Sequence, residues 1–169
     1  MPSDLVLAIL AYGHVLSAVS WLGGGMLTAM VIGPNLRNLA PPAALEFNVK
    51  ILPKLLRFVQ IAILSTFVFG ILLLYVFRDG DFSWLMNSNQ GYILSAGILV
   101  ALVTGAFGFS FVIPSFKKVV KFSSEALQTG KPPSPEMMKY GTRARVGSLL
   151  GVLLLLFVLA MMVISGFLY

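Results

Sequence analysis

The chain has 169 residues, of which 58% are hydrophobic and 11% are charged, and its mean hydropathy is +0.93. A soluble domain carries charge on roughly a quarter of its residues, so this composition excludes a soluble globular protein and indicates an integral membrane protein. The absence of cysteine excludes disulfides, thiolate metal sites and thiol nucleophiles. The net charge of +6 does not by itself indicate a protein that binds nucleic acid. In a membrane protein, the position of the basic residues reports on topology and is more informative than their number.

Four stretches free of Asp, Glu, Lys and Arg are each long enough to cross a hydrocarbon core of about 30 Å. Lipid offers no hydrogen-bond partners to the backbone, so each stretch is expected to be a helix. The sequence therefore predicts an all-α membrane protein, a four-transmembrane-helix bundle that forms a single domain over residues 1–169. The predicted spans are about 5–34, 56–78, 91–114 and 146–168.

The first span contains the only histidine of the chain, His14. At about 100° per residue, Trp21, Gly25 and Thr28 project within about 40° of it, so the four residues share one helix face. An ionisable side chain within a span is expected to face the bundle interior and to have a function. We therefore predict a cofactor-binding site formed by His14, Trp21, Gly25 and Thr28, with His14 as the metal ligand.

The cofactor of this site stays open between haem b and copper. A neutral imidazole at position 14 could bind either metal through one ring nitrogen while the other nitrogen donates to a carbonyl. It could instead hold the bundle together by a hydrogen bond to another helix. The possible partners are Ser95, Thr104, Ser148 or a backbone carbonyl. Met26 and Met30 have the thioether chemistry of a copper(I) site, but they project away from His14.

The loops contain recognisable helix boundaries. Pro41-Pro42 predicts the start of a short helix in the first loop, because proline suits the first helical turn. In the third loop, Gly130 is a favourable stop for a helix that continues the third span. Ser134-Pro135-Glu136 then provides an N-cap, a first-turn proline and a first-turn acid, so the fourth helix is expected to begin there.

Eleven of the twelve basic residues lie in the first and third loops, and the second loop contains only Arg78, next to Asp79 and Asp81. The positive-inside rule therefore places loops 35–57 and 115–145 in the cytoplasm and both termini on the outer side. We expect a multi-pass protein of the cell membrane.

Several activities lack the residues they need. The four spans contain no carboxylate, which argues against proton-coupled transport. There is no metal-hydrolase motif, phosphate-binding glycine loop or Ser/His/Asp set in a plausible order. Whether the protein is an enzyme stays open on these grounds.

His14, Trp21 seven residues later and the glycines after it resemble the first span of CopD-like four-helix membrane domains. Pro53-Lys54-Leu55-Leu56-Arg57 before the second span, and Arg143 and Arg145 before the last span, resemble the arrangement of basic residues in that family. The resemblance covers nearly the whole chain. It implies a role in copper uptake or resistance with His14 as a ligand. The same His and Trp spacing more distantly resembles HemJ-like protoporphyrinogen oxidases, which bind haem b.

Three functions remain as alternatives. The first is CopD-like handling of copper or another metal at the membrane, and the second is a haem b-binding redox protein with His14 as axial ligand. The third is an accessory subunit of a larger membrane enzyme complex. The spans have several faces of small residues, which include Gly97, Gly105 and Gly147, and these are more than one compact bundle needs for its own helix packing. The expected partners are the lipid bilayer and either a second copy of the chain or a larger membrane complex, with no nucleic acid.

Overall fold

The computed structural model describes residues 4–167, and this part of the chain is helical apart from short connections and contains no strand. Four of its helical segments are long and apolar enough to cross a membrane, which confirms the predicted all-α fold with four spans. The second of these segments is broken at Ile51, so we number five helices. They are α1 (Asp4–Asn38), α2 (Pro41–Lys50), α3 (Leu52–Phe77), α4 (Asn89–Thr129) and α5 (Pro135–Ser165).

The helices extend beyond the predicted spans at the end of the bundle that carries most of the basic residues, which we call the basic end. α4 continues as one helix beyond residue 114 to Thr129, and α5 begins at Pro135, well before residue 146. Charged residues limited the predicted spans but do not end a helix, because a helix can leave the hydrocarbon core and continue in water. Residue 168, the last of the predicted fourth span, lies outside the described residues, as do residues 1–3 and 169.

The predicted helix boundaries in the loops are confirmed. α2 begins at Pro41, and α4 is followed by Gly130 in the left-handed conformation with φ of 65°. The Ser134 hydroxyl caps α5 by accepting a hydrogen bond of 3.2 Å from the backbone N–H of Met137. These local signals were readable because each depends on the chemistry of two or three neighbouring residues.

Two of the long helices contain π-helical segments that the sequence did not predict. α1 widens over Leu27–Ile32 and α4 over Gly108–Val112. Each segment lies shortly before a proline, Pro34 in α1 and Pro114 in α4. Proline has no N–H and its ring collides with the carbonyl four residues earlier, so a wider turn lets the helix continue past it.

The helices pack as a bundle that is most closed at its basic end. α1 lies along α3 and α5, α4 lies along α5, and α3 meets α4 chiefly through the Ile113–Thr129 part of that helix. At the basic end, α2 packs against α4, where Asn48 Nδ2 donates a 3.1 Å hydrogen bond to Ser123 Oγ. Leu52, Leu56 and Val119 form a buried cluster beside this contact. The basic end is therefore held by apolar packing as well as by hydrogen bonds.

Candidate functional site

His14 is half-buried in α1 and contacts α3. Its Nδ1 lies 3.0 Å from the backbone oxygen of Thr66. A carbonyl oxygen can only accept a hydrogen bond, so Nδ1 must be the nitrogen that carries the proton. In the neutral ring, the lone pair then belongs to Nε2. The hydrogen bond thereby selects one of the two tautomers of the imidazole.

The imidazole fits against α3 because two small residues lie under it. A Cβ atom added to Gly70 would lie 2.9 Å from His14 Cε1, so the ring occupies space that any larger residue would fill. The Thr66 hydroxyl donates to the carbonyl of Ala62 at 2.7 Å, so it does not compete with the ring for the Thr66 carbonyl. Sequence reasoning missed both residues. Their spacing of four in an apolar span is the small-residue pattern that could have identified this contact.

The Nε2 atom of His14 accepts from no residue in the described range 4–167. It is also absent from the polar atoms that are buried without a partner, so Nε2 keeps some accessible surface. The site therefore offers one imidazole nitrogen with a free lone pair on a ring held by its other nitrogen. This is the usual arrangement of a histidine that binds a metal.

The hydrogen bond of His14 is unusual among the polar contacts of the spans. Most hydroxyl groups there donate to the carbonyl four residues earlier in their own helix, as Thr104 does to Val100 at 2.7 Å. The same geometry is found for Ser20, Thr28, Thr66, Ser110 and Ser115. Ser95 instead donates to the Leu85 carbonyl at 3.2 Å. Other side-chain hydrogen bonds between the long helical segments lie at the basic end, from Asn48 to Ser123 and from Ser123 Oγ to the Met137 sulfur. Within residues 4–167, the bond from His14 to Thr66 is the one that joins the apolar parts of two spans.

The other three predicted site residues surround a cavity of about 70 Å³ between all four spans. Trp21, Gly25 and Thr28 line this cavity together with Thr104 and residues of α3 and α5, whereas His14 does not. The structure thus divides the predicted site into two. His14 lies against α3, and the cavity lies further along α1 toward the basic end.

Trp21 separates the two parts. Its side chain is 6% exposed and packs with Ala62, Ile63 and Leu155 in the apolar core. The indole also lies 5.8 Å from the ring of Phe67, measured between centroids. The seven residues between His14 and Trp21 correspond to about 10 Å along the helix axis. One ligand of a few atoms therefore cannot contact both His14 and the far wall of the cavity.

Gly25 and Thr28 have packing contacts of their own. A Cβ atom on Gly25 would lie 3.3 Å from Val152 Cγ2, so glycine allows α1 to approach α5 closely. The Thr28 hydroxyl is buried and donates to the Gly24 carbonyl at 2.6 Å, within the first turn of the π-helical segment. Neither residue has a free donor or acceptor directed at His14.

The donor set within one copy of the chain is small. Residues 4–167 contain no group of three or more His, Cys, Asp or Glu side chains that could together hold a metal ion. Met26 and Met30 are 36% and 50% exposed on the outside of α1, on a different face from His14. The cavity is also far smaller than the roughly 300 Å³ at which small-molecule pockets begin, so it is too small for a haem macrocycle.

The chain matches no protein-family model, no curated protein and no solved structure. The CopD-like and HemJ-like resemblances therefore stay predictions. The functional case depends on the contacts of the residues themselves.

Two substitutions of His14 separate its hydrogen bond from its free nitrogen. Asparagine places an amide N–H where Nδ1 lies and has nothing in place of Nε2, while alanine removes both. A hydrogen bond between membrane helices contributes about 0.6 kcal/mol on average and up to about 1.7 kcal/mol. We expect His14→Ala to destabilise the detergent-solubilised protein by about 1–2 kcal/mol and His14→Asn to recover part of that loss. The measurement is the Tm, and equal Tm values for the two variants would show that the Thr66 contact does not stabilise the bundle.

Proposed function

We propose that this multi-pass membrane protein binds a metal ion through Nε2 of His14. The observation that supports the proposal is the 3.0 Å hydrogen bond between His14 Nδ1 and the Thr66 carbonyl. It orients the imidazole and keeps the proton on Nδ1, as second-shell hydrogen bonds do in known metal sites. A ring that served only to join helices would not need Nε2 to stay accessible.

Copper or a similar late first-row metal suits an imidazole ligand, and a CopD-like role in copper handling is the function we favour. A metal ion needs little room, whereas haem would have to lie outside the bundle against a further subunit. With one histidine per chain, the remaining ligands come from solvent, from a molecule bound to the metal or from a neighbouring subunit. Incomplete coordination of this kind would favour transient binding and release over permanent storage.

Metal binding can be tested with the two His14 variants and a methionine control. Purified protein dialysed to equilibrium against a copper solution should bind about one copper per chain. His14→Ala and His14→Asn should both lose it, because both lack Nε2, whereas Met30→Leu should retain it because Met30 is exposed on another face. Elemental analysis gives the ratio.

Two results would contradict the copper proposal. The first is copper retention by His14→Asn equal to that of the unchanged protein. The second is a Soret band in protein from native membranes that disappears in His14→Ala, which would establish the haem alternative.

An accessory subunit is the second candidate, and the exposure of α1 favours it. In the most apolar 18-residue stretch of α1, only 6% of the residues are buried inside the bundle. The corresponding share is 28% in α4 and in α5. Gly23 lies on the exposed surface of α1, and a Cβ atom added there would meet nothing within 4 Å. Small residues on the lipid-facing surface of a span permit close approach of another helix. A protein that binds neither copper nor haem in the experiment above would leave this candidate the stronger one.

The proposed orientation places the basic end in the cytoplasm and both termini outside. It rests on the eleven basic residues of loops 35–57 and 115–145. Few of these charges are neutralised locally: within residues 4–167, the ion pairs are Lys50–Glu46 and Lys121–Glu125, both exposed. The Lys50 hydrogen bond and charge hold the pKa of the Glu46 carboxyl below its usual value, so that pair stays charged at neutral pH. The basic end therefore keeps a net positive charge.

The orientation can be tested directly because the chain has no cysteine of its own. Asn87 lies in the connection between α3 and α4, and Gln128 lies near the end of α4 at the basic end; both are exposed. A membrane-impermeant maleimide applied to intact cells should label Asn87→Cys and should label Gln128→Cys only after permeabilisation. The reverse pattern would invert the proposed topology.

A further inference from the structure

Arg145 differs from the other basic residues of the basic end because one of its guanidinium nitrogens is buried. It is half-buried, and its Nε is a buried atom that no residue in the range 4–167 accepts from. No carboxylate among these residues forms an ion pair with its guanidinium. A buried N–H without a partner is costly, and a bound water or ion is one way in which a native protein satisfies it. A guanidinium is suited to bind the two oxygens of a carboxylate or phosphate.

Arg145 does not line the cavity described above but precedes, on α5, residues that do. Gly147 and Ser148, two and three residues further along α5, line that cavity. On the helix, Arg145 projects close to the direction of Val152, which packs against Gly25 of α1. Its side chain therefore begins on the α1 side of α5, about one turn below the cavity and at the boundary between the apolar span and the basic end.

The cavity itself is apolar and partly open, and its wall contains a vacant position. Gly151 lines the cavity, yet a Cβ atom added there would meet nothing within 4 Å. Apolar cavities in proteins tend to stay free of water and to accept apolar ligands. A volume of about 70 Å³ admits the end or a bend of an alkyl chain but not a whole lipid tail.

We propose that the space between α1 and α5 binds an anionic amphiphile, with its phosphate or carboxylate on Arg145 and part of its alkyl chain in the cavity beside Gly151 and Trp21. The positive charge of the basic end attracts anionic lipids to this side of the membrane, and basic pockets between spans are known to bind lipid headgroups. This site is separate from His14 and does not depend on the metal proposal.

Arg143 provides the matched control for the charge. It is two residues away and exposed, and its guanidinium lies 4.1 Å above the ring of Phe111 in α4. It therefore projects to the opposite side of α5 from Arg145. Neutralising either arginine changes the net charge equally, so a difference between the two variants reports on a specific site.

The test uses the fluorescence of Trp21 in the full chain with Trp84→Phe, since the chain has two tryptophans and Trp21 lines the cavity. The probes are lysophosphatidic acid and lysophosphatidylcholine that carry the same brominated chain, because bromine quenches indole fluorescence on close approach. We expect saturable quenching by the anionic probe, with affinity at least about tenfold above that of the zwitterionic probe. Inorganic phosphate should not displace it.

The variants decide between specific and diffuse binding. Arg145→Gln should weaken binding of the anionic probe by about tenfold or more, Arg145→Lys should weaken it less, and Arg143→Gln should leave it nearly unchanged. Retained binding in Arg145→Lys also shows that the fold survives changes at this position. Equal losses in Arg145→Gln and Arg143→Gln, or no loss in either, would overturn the proposal.

A second pair of variants tests the position of the alkyl chain. Gly151→Leu should fill the cavity and reduce both the quenching and the affinity, whereas Gly23→Leu, which lies on the exposed surface of α1, should change neither. Unchanged binding by Gly151→Leu would place the chain elsewhere and overturn the proposal. Displacement of the probe by inorganic phosphate would show a site for the free anion and would overturn the amphiphile as its ligand.

Discussion

The structure depends on the need to satisfy every polar group without water. Inside a bilayer, an unpaired N–H or C=O costs several kcal/mol, so the backbone forms helices and the hydroxyl groups of the spans mostly bond to their own helix. Almost no polar side chain is then left to join one span to another. In the apolar parts of the spans His14 is the exception, because its Nδ1 reaches the Thr66 carbonyl of α3. The residue that hydrogen-bonds α1 to α3 is also the one with a free imidazole nitrogen.

The same constraint explains where the bundle is irregular. Pro34 and Pro114 each remove a backbone donor, and each helix continues past its proline through a π-helical segment. Thr28 in the first segment, and Gly108 and Val112 in the second, line the central cavity. Wider turns displace side chains from regular packing positions, so the cavity lies where two irregular helices meet. Such segments are common at functional sites, which agrees with a ligand in this part of the bundle.

Much of the fold could be predicted from the sequence, because span length, proline and glycine stops and the Ser134 cap are local or compositional signals. The site was only partly predictable. A helical projection correctly gives Trp21, Gly25 and Thr28 a common face and places them around one cavity, but it does not show distance along the axis or the neighbouring helix. Thr66 and Gly70 fix His14 from another span. The environment of Arg145 depends on how α1 and α5 pack, which no local pattern reports.

We propose that the Thr66 carbonyl keeps the proton of His14 on Nδ1 and leaves Nε2 free to bind a metal. The chain has one histidine, so ¹⁵N-histidine labelling gives signals from this ring alone. The most direct measurement is the ¹⁵N NMR spectrum of the two ring nitrogens in the metal-free protein in lipid. The structure predicts a protonated Nδ1 and an unprotonated Nε2, whose signal alone changes strongly when metal is added. A proton on Nε2 with an unprotonated Nδ1 would contradict this role of the Thr66 carbonyl.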